Sequence, residues 1–426
     1  MYSSFITDIV SVTSEGFGIG SFGNIKVFIP GGFPGDNLEV SIIAERKNYL
    51  LGKIVKIVSP SVLREEARCK LAGTCNGCPL MGLVYSEQLD LKRNRVVSAF
   101  RKFASLDIHV PSCLPSPERF EYRNKLDFSI DFPNRKIGFS VSDENRFTEI
   151  PYCFLEKGIN NILDFFRQNL SRFPPCSRLI IRRSRFSGQY LICLATDQKN
   201  TEPFKSPVDK LIKACPSVSG VVLNCRKDLK ESYFSSRFSL IFGCDYLKEQ
   251  FLGSVFRIRA GNFFQVNHLQ AECLFRTVLD MIEGPNVIDG FCGIGVLSIL
   301  LKDKCRKVIG VECVPSSIKS ANENAILNKT NHCLFICDKL EKIFHRLPDC
   351  DTVVLNPPRA GCEKILIMNL LKKRPKKIIF ISCHPESLAR DLNLMKNDYS
   401  IKNVLLFDMF PQTMHVETVV ELILRI

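Results

Sequence analysis

The chain has 426 residues, with 58 lysines and arginines against 44 acidic residues and a formal charge of +14. That length supports two or three domains with full cores, and the cationic excess favours nucleic acid or an anionic membrane surface as partner, or else forms a solvated basic face. No apolar run approaches the ~20 residues of a membrane span. Met1 to Asp8 lacks the basic start and apolar stretch of a signal peptide, so a cytoplasmic location is expected, where 19 cysteines are not a disulfide framework.

Residues 1–58 carry short β-type runs at Ile19 to Phe22, Asn24 to Ile29, Asn37 to Ala44 and Tyr49 to Val58, with turn chemistry between Pro30 and Asp36. Short, regularly spaced strands predict a small barrel of the OB type. Lys26, Arg46, Lys47, Lys53 and Lys56, with Phe17, Phe22, Phe28 and Tyr49, suit phosphate pairing and base stacking. The alternative is a structural cap whose aromatics are core. Residues 59–82 are irregular, with Cys69, Cys75 and Cys78 at C-x5-C-x2-C spacing among Gly73, Gly77 and Pro79. Three such thiols argue for zinc or an iron–sulfur cluster rather than coincidence. No second C-x2-C or histidine pair follows, which favours iron–sulfur with one distant fourth cysteine.

Residues 83–105 read as an amphipathic helix through Leu83, Leu89, Val96, Val97 and Phe100. The stretch from about 110 to 250 mixes strands and helices, including a strand at Phe120 to Phe128 and a hairpin from Leu179 to Ala195 turning at Ser187-Gly188. Arg182, Arg183 and Arg185 there either meet phosphates or form a solvated strand face. From about 251, strand, loop and helix alternate through Asn286 to Asp289, Lys307 to Glu312, Cys333 to Cys337, Asp351 to Leu355 and Lys377 to Ser382. This pattern predicts a Rossmann-like parallel sheet with helices on both faces. Val404 to Asp408 and Val416 to Leu424 follow too closely for a crossover helix, which predicts an antiparallel edge.

Asp289-Gly290-Phe291-Cys292-Gly293-Ile294-Gly295 links the first of these strands to a helix, where glycines and helix amides admit a cofactor. Glu312, ending the next strand, suits a ribose diol. A dinucleotide would want a third glycine where Ser298 stands. Asn356-Pro357-Pro358-Arg359-Ala360-Gly361 stiffens a strand end where a planar base can stack. Cys383, in Ile381-Ser382-Cys383-His384-Pro385, precedes a predicted helix start, which favours a thiolate. Glu417 sits in an otherwise apolar strand, where burial raises a carboxyl pKa towards that of a general base. Together these elements suggest an S-adenosylmethionine enzyme that attacks a base through a thiolate.

Phe263-Phe264-Gln265-Val266-Asn267, the loop from Asp289 to Gly295, NPPRAG, ISCHPESLARD and FPQTMHVE together resemble, in order, the RNA uracil-5-methyltransferase family. The first 58 residues resemble a TRAM domain, and Tyr122-Arg123-Asn124-Lys125 extends the match into the middle of the chain. The resemblance implies a TRAM barrel over 1–58 that binds RNA and a mixed α+β middle domain over 59–250 holding the cysteine loop. It also implies a class I methyltransferase domain over 251–426, with the helix at 83–105 packing on it. Cys383 would add to carbon 6 of a uridine, Glu417 would take the carbon 5 proton, and the base would be flipped from its stack. Gln265, Phe291, Glu312, Asp338 and Asn356 would contact the cofactor, although the family usually has aspartate at Asn356. Cys69, Cys75 and Cys78, with Cys153 as fourth ligand, would hold a structural 4Fe–4S cluster. The implied substrate is 23S ribosomal RNA, with transfer RNA the alternative, and the expected state is a monomer. A non-catalytic RNA-binding iron–sulfur protein and an amino-methylating enzyme are the competing readings.

Overall fold

The computed structural model describes residues 4–141, 146–226, 235 and 237–425. The chain divides into two units, residues 1–119 with 405–417, and residues 120–404 with 418–426. The first unit opens with a six-stranded sheet in the order Phe5–Asp8, Asn37–Glu45, Leu50–Ser59, Ile25–Ile29, Gly18–Phe22 and Ser11–Val12. Alternation along Asn37–Glu45 sends Leu38 and Val40 into a core with Ile9, Val27, Ile29 and Leu50. Phe5–Asp8 and Ser11–Val12 were not predicted, because runs of four and two residues are too short to show a period. Lys26, Arg46, Lys47, Lys53 and Lys56 are all exposed, and Phe28 stacks on Tyr49 with centroids 4.5 Å apart.

The turn at residues 30–36 ends on Asp36, whose buried carboxylate accepts from Phe33 N (2.7 Å), Ser61 N (2.9 Å) and Arg64 Nε and Nη2 (2.6 Å each). Those bonds tie the start of the cysteine-bearing loop to the sheet. The predicted helix 83–105 is an α-helix, Tyr85–Ala99, running into a π-helical turn, Phe100–Ala104, with Ser105 left-handed at φ +53°. Leu83, Val96 and Phe100 are buried as expected, but the buried face also takes Gln88 and Lys92.

In the second unit, a seven-stranded sheet runs Phe238–Gly243, Val218–Cys225, Tyr190–Thr196, Arg178–Arg183, Lys125–Asp131, Lys136–Val141, Arg146–Glu149. Arg178–Arg183 and Tyr190–Thr196 pair antiparallel, forming the expected hairpin. The strand foreseen from Phe120 starts only at Lys125, since Glu121 is left-handed at φ +55°. Arg182 is neither solvated nor free for phosphate. It is 2% exposed and its Nη2 donates to Asn262 O at 2.8 Å, because the strand register turns it inward.

A second seven-stranded sheet follows in the order Cys333–Cys337, Lys307–Glu312, Asn286–Gly290, Thr352–Leu355, Lys377–Ser382, Glu417–Leu424, Tyr399–Phe407. The first five strands are parallel, and Glu417–Leu424 pairs antiparallel with Lys377–Ser382. The antiparallel strand was foreseen, but it is interior, and Tyr399–Phe407 takes the edge. That edge strand begins five residues before the predicted Val404, since half-exposed and exposed residues such as Ser400, Lys402 and Asn403 mask the pattern. Among the described residues, no helix is long and apolar enough to cross a membrane.

Candidate active site

At the carboxyl ends of the parallel strands lies a pocket of about 580 Å³, including its open mouth. Its aromatic wall is Phe251, Phe263, Phe264 and Phe275, opposed by Phe291, Cys292, Gly293 and Ile294 from the loop after Asn286–Gly290. Gln265, Asp289, Val354, Asn356 and Ile381 complete it. Three residues of the loop are left-handed: Gly293 (φ +55°) and Gly295 (+79°), where no Cβ resists it, and Phe291 (+62°), which its surroundings must hold there. A Cβ at Gly293 would meet nothing within 4 Å, so a ligand can approach the backbone there. A Cβ at Gly295 would lie 2.7 Å from the Phe335 ring, so that position admits glycine alone.

Asp289 is 3% exposed and accepts from Ser298 Oγ (2.6 Å) and Ser298 N (3.1 Å). Burial pushes its carboxyl up to about 7, with the Ser298 bonds opposing that rise. Ser298, which marks the missing third glycine, therefore braces the loop from below. Glu312 ends its strand half-buried, accepting from Gly293 N at 3.3 Å and Val314 N at 2.9 Å. Asp338 lies just beyond the neighbouring strand, exposed, its backbone N–H donating to Glu312 O at 3.2 Å. The pocket thus gathers Gln265, Phe291 and Asn356; Glu312 joins through Gly293, while Asp338 is outside the lining.

Gln265 is held from the middle of the chain. Asn124 Nδ2 donates to Gln265 O, and Asn124 N to Val266 O, both at 2.8 Å. These bonds join the Tyr122-Arg123-Asn124-Lys125 stretch to the distant Gln265 segment. The aromatic wall and the Asp289–Ser298 brace were missed as site residues. Phe251 and Phe275 lie outside the motifs, only Gln265 is singled out beside Phe263 and Phe264, and the brace exists only once the strand-to-helix turn forms.

Cys383 is half-buried and in no disulfide, between Lys377–Ser382 and the helix Pro385–Met395. His384 caps that helix, its Nδ1 accepting from Ser387 N at 3.2 Å. Two residues before Cys383, Ile381 lines the pocket. Ser382, the residue before Cys383, pairs with Thr418, the residue after Glu417. Glu417 is 4% exposed, and burial pushes its carboxyl up to about 8.

Cys69, Cys75 and Cys78, on the loop of the first unit, and Cys153, in the second, are half-buried and form no disulfide. Partly exposed cysteines suit soft-metal ligation. Their placement does not: among the described residues, no three histidine, cysteine or carboxylate side chains are gathered as a ligand set.

Parallel strands, a glycine loop and an acid ending the second strand define a Rossmann-like class I methyltransferase domain behind an N-terminal strand domain. A profile of the TRAM domain matches residues 8–55, and one of the tRNA (Uracil-5-)-methyltransferase family matches residues 84–425. The chain belongs to that family and is an S-adenosylmethionine-dependent RNA methyltransferase. It is 31% identical over 440 residues to an uncharacterized RNA methyltransferase of Clostridium tetani, covering 98% of this chain and 96% of the relative. It is equally similar to one from Listeria innocua, over 98% and 97%. In fold it resembles the Pyrococcus abyssi tRNA (uracil-54, C5)-methyltransferase crystallised with S-adenosyl-L-homocysteine, with TM-score 0.77 and 24% identity over 99% and 100% of the two chains.

Proposed function

We propose that this enzyme methylates carbon 5 of a uridine in RNA through a covalent Cys383 adduct, with Glu417 as general base. The supporting observation is the strand register: Ser382, the residue before Cys383, is the partner of Thr418, the residue after Glu417, and Ile381 of the same strand lines the pocket. Bound S-adenosylmethionine would supply an electrophilic methyl group, its sulfur keeping the bonding pair and departing as S-adenosylhomocysteine. The pocket fits it, with apolar rings for adenine, open space over Gly293, and the Glu312 carboxylate at the loop for the ribose.

The Cys383 sulfur forms a bond to carbon 6, and the displaced π electrons make carbon 5 nucleophilic. Carbon 5 takes the methyl group and then carries both methyl and hydrogen. Glu417 removes that proton, the C–H electrons re-form the 5,6 double bond, and the carbon–sulfur bond breaks to release Cys383 as thiolate. Glu417 must be ionised to act, and its burial sets the pH range in which it is.

The expected substrate is ribosomal RNA; the fold neighbour acts on transfer RNA, which makes tRNA the second reading. Transfer of labelled methyl to unmodified ribosomal and transfer RNA, with the nucleoside identified by mass spectrometry, separates them. Labelled 5-methyluridine is expected from one pool, and Cys383→Ala should abolish both turnover and the denaturation-resistant adduct. Labelled base in another position, or turnover by Cys383→Ala, refutes the mechanism.

The cysteine loop carries a separate proposal: Cys69, Cys75 and Cys78, with Cys153 as fourth ligand, hold an iron–sulfur cluster, on the support of the C-x5-C-x2-C spacing alone. Anaerobically purified protein should contain iron and acid-labile sulfide, both lost in Cys75→Ala/Cys78→Ala. Iron-free, fully folded wild-type protein would end that reading.

A further inference from the structure

The helix Tyr85–Ala99 presents an unusual face to the segment that leads into Glu417. Residues 85, 88, 92 and 95 recur at intervals of three, four and three, one face of a helix. In most helices that stripe is apolar. Here it is Tyr85, Gln88, Lys92 and Arg95, and every one bonds within residues 408–414.

Tyr85 Oη donates to Asp408 Oδ2 at 2.7 Å. Lys92, fully buried, is ion-paired with the equally buried Asp408 through Oδ1, and its Nζ also donates to Phe410 O at 3.1 Å. Gln88 Oε1 accepts from Gln412 N at 3.0 Å, while its Nε2 donates to Gln412 Oε1 (3.1 Å) and Leu83 O (2.8 Å). Arg95 Nη1 donates to Met414 O at 3.1 Å. Gln412 is left-handed at φ +70° and 1% exposed, a backbone state that a non-glycine residue keeps only when its surroundings hold it.

Burying a lysine and a glutamine costs more than burying leucines of similar size. Leucines would pack the segment without specifying its backbone; directional bonds to Phe410 O, Gln412 N and Met414 O do specify it. Glu417 follows Met414 by three residues. We infer that Gln88, Lys92 and Arg95 are positioning residues for the base, fixing the 408–414 backbone so that the Glu417 carboxyl meets the carbon 5 proton. This rests on the proposed role of Glu417.

The test is run at single turnover, with the full chain in excess over RNA carrying [5-³H]uridine and S-adenosylmethionine with a labelled methyl group. Wild type should release one tritium per methyl transferred. In Gln88→Leu, methyl incorporation should stay within about threefold while tritium release slows on the order of tenfold, because a misplaced base loses part of its usual 10²–10⁴ contribution. A methylated, denaturation-resistant RNA–protein adduct should then accumulate. Arg95→Met should do the same and Arg95→Lys should restore release; this pair decides the matter if Gln88→Leu melts early. Methyl transfer and tritium release falling together, or neither changing, overturns the inference. Glu417→Gln is the separate control: if it builds up no adduct, the base assignment itself fails, whatever the helix variants do.

Discussion

Glu417 and Asp289 are carboxyls that burial holds above their ordinary values of 4.5 and 3.8, to about 8 and about 7. At pH below those ordinary values, both are protonated whether the chain is folded or not. As pH rises towards 7 and 8 the unfolded chain ionises first, so their contribution to stability is lost through that window. Catalysis runs the other way, because the base must be ionised. Single-turnover tritium release should therefore rise with pH up to about 8, while the denaturation midpoint falls over the same range. Glu417→Gln should lose the rising limb of the first profile and flatten the second. Asn356 offers a smaller test. If its amide makes one neutral hydrogen bond to cofactor, Asn356→Ala should raise KM for S-adenosylmethionine about fivefold, the ~1 kcal/mol such a bond contributes. An unchanged KM would remove it from the cofactor contacts.

Among the elements, the N-terminal sheet and the cysteine loop meet at one carboxylate. Asp36 has no exposed side-chain surface and receives four donors from the turn at residues 30–36 and from Ser61 and Arg64. Removing it leaves the Arg64 guanidinium, which is 20% exposed, and two backbone amides without their acceptor. Asp36→Ala should cost about 3 kcal/mol, in the range for breaking a buried pair, and lower the thermal midpoint. An unchanged midpoint would show that water replaces the carboxylate. The helix Tyr85–Ala99 illustrates a general limit at this scale. Hydrophobic periodicity found the element, yet its distinguishing face is polar, and a period built on apolar residues does not register it.

Over the whole molecule, the +14 balance supports the RNA assignment. Exposed lysines and arginines that neutralise phosphates release counterions, so affinity should fall linearly on a log–log plot against salt. Filter binding of unmodified RNA at several potassium chloride concentrations checks this. A flat plot would mean that the surface cations do not meet phosphate. Residues 405–417 group with the N-terminal 119 residues although both chain neighbours belong to the other unit. Nothing in the local sequence of FPQTMHVE announces that exchange.

The sequence alone determined the elements whose signal is local: the strand–loop–helix alternation after residue 251, the glycine loop, the turn before Asp36, and the motifs at Asn356, Cys383 and Glu417. Each follows from short-range constraints of period, turn chemistry and backbone freedom. The tertiary structure decided what depends on distant partners. It buried Arg182 against Asn262, bonded Asn124 to Gln265, turned Glu417–Leu424 into an interior strand, and set Gln88 and Lys92 against residues more than 300 positions away. The physical reason is the same in every case. A polar side chain's role is fixed by which donor or acceptor remains to be satisfied once the backbone has folded, and that inventory exists only in three dimensions.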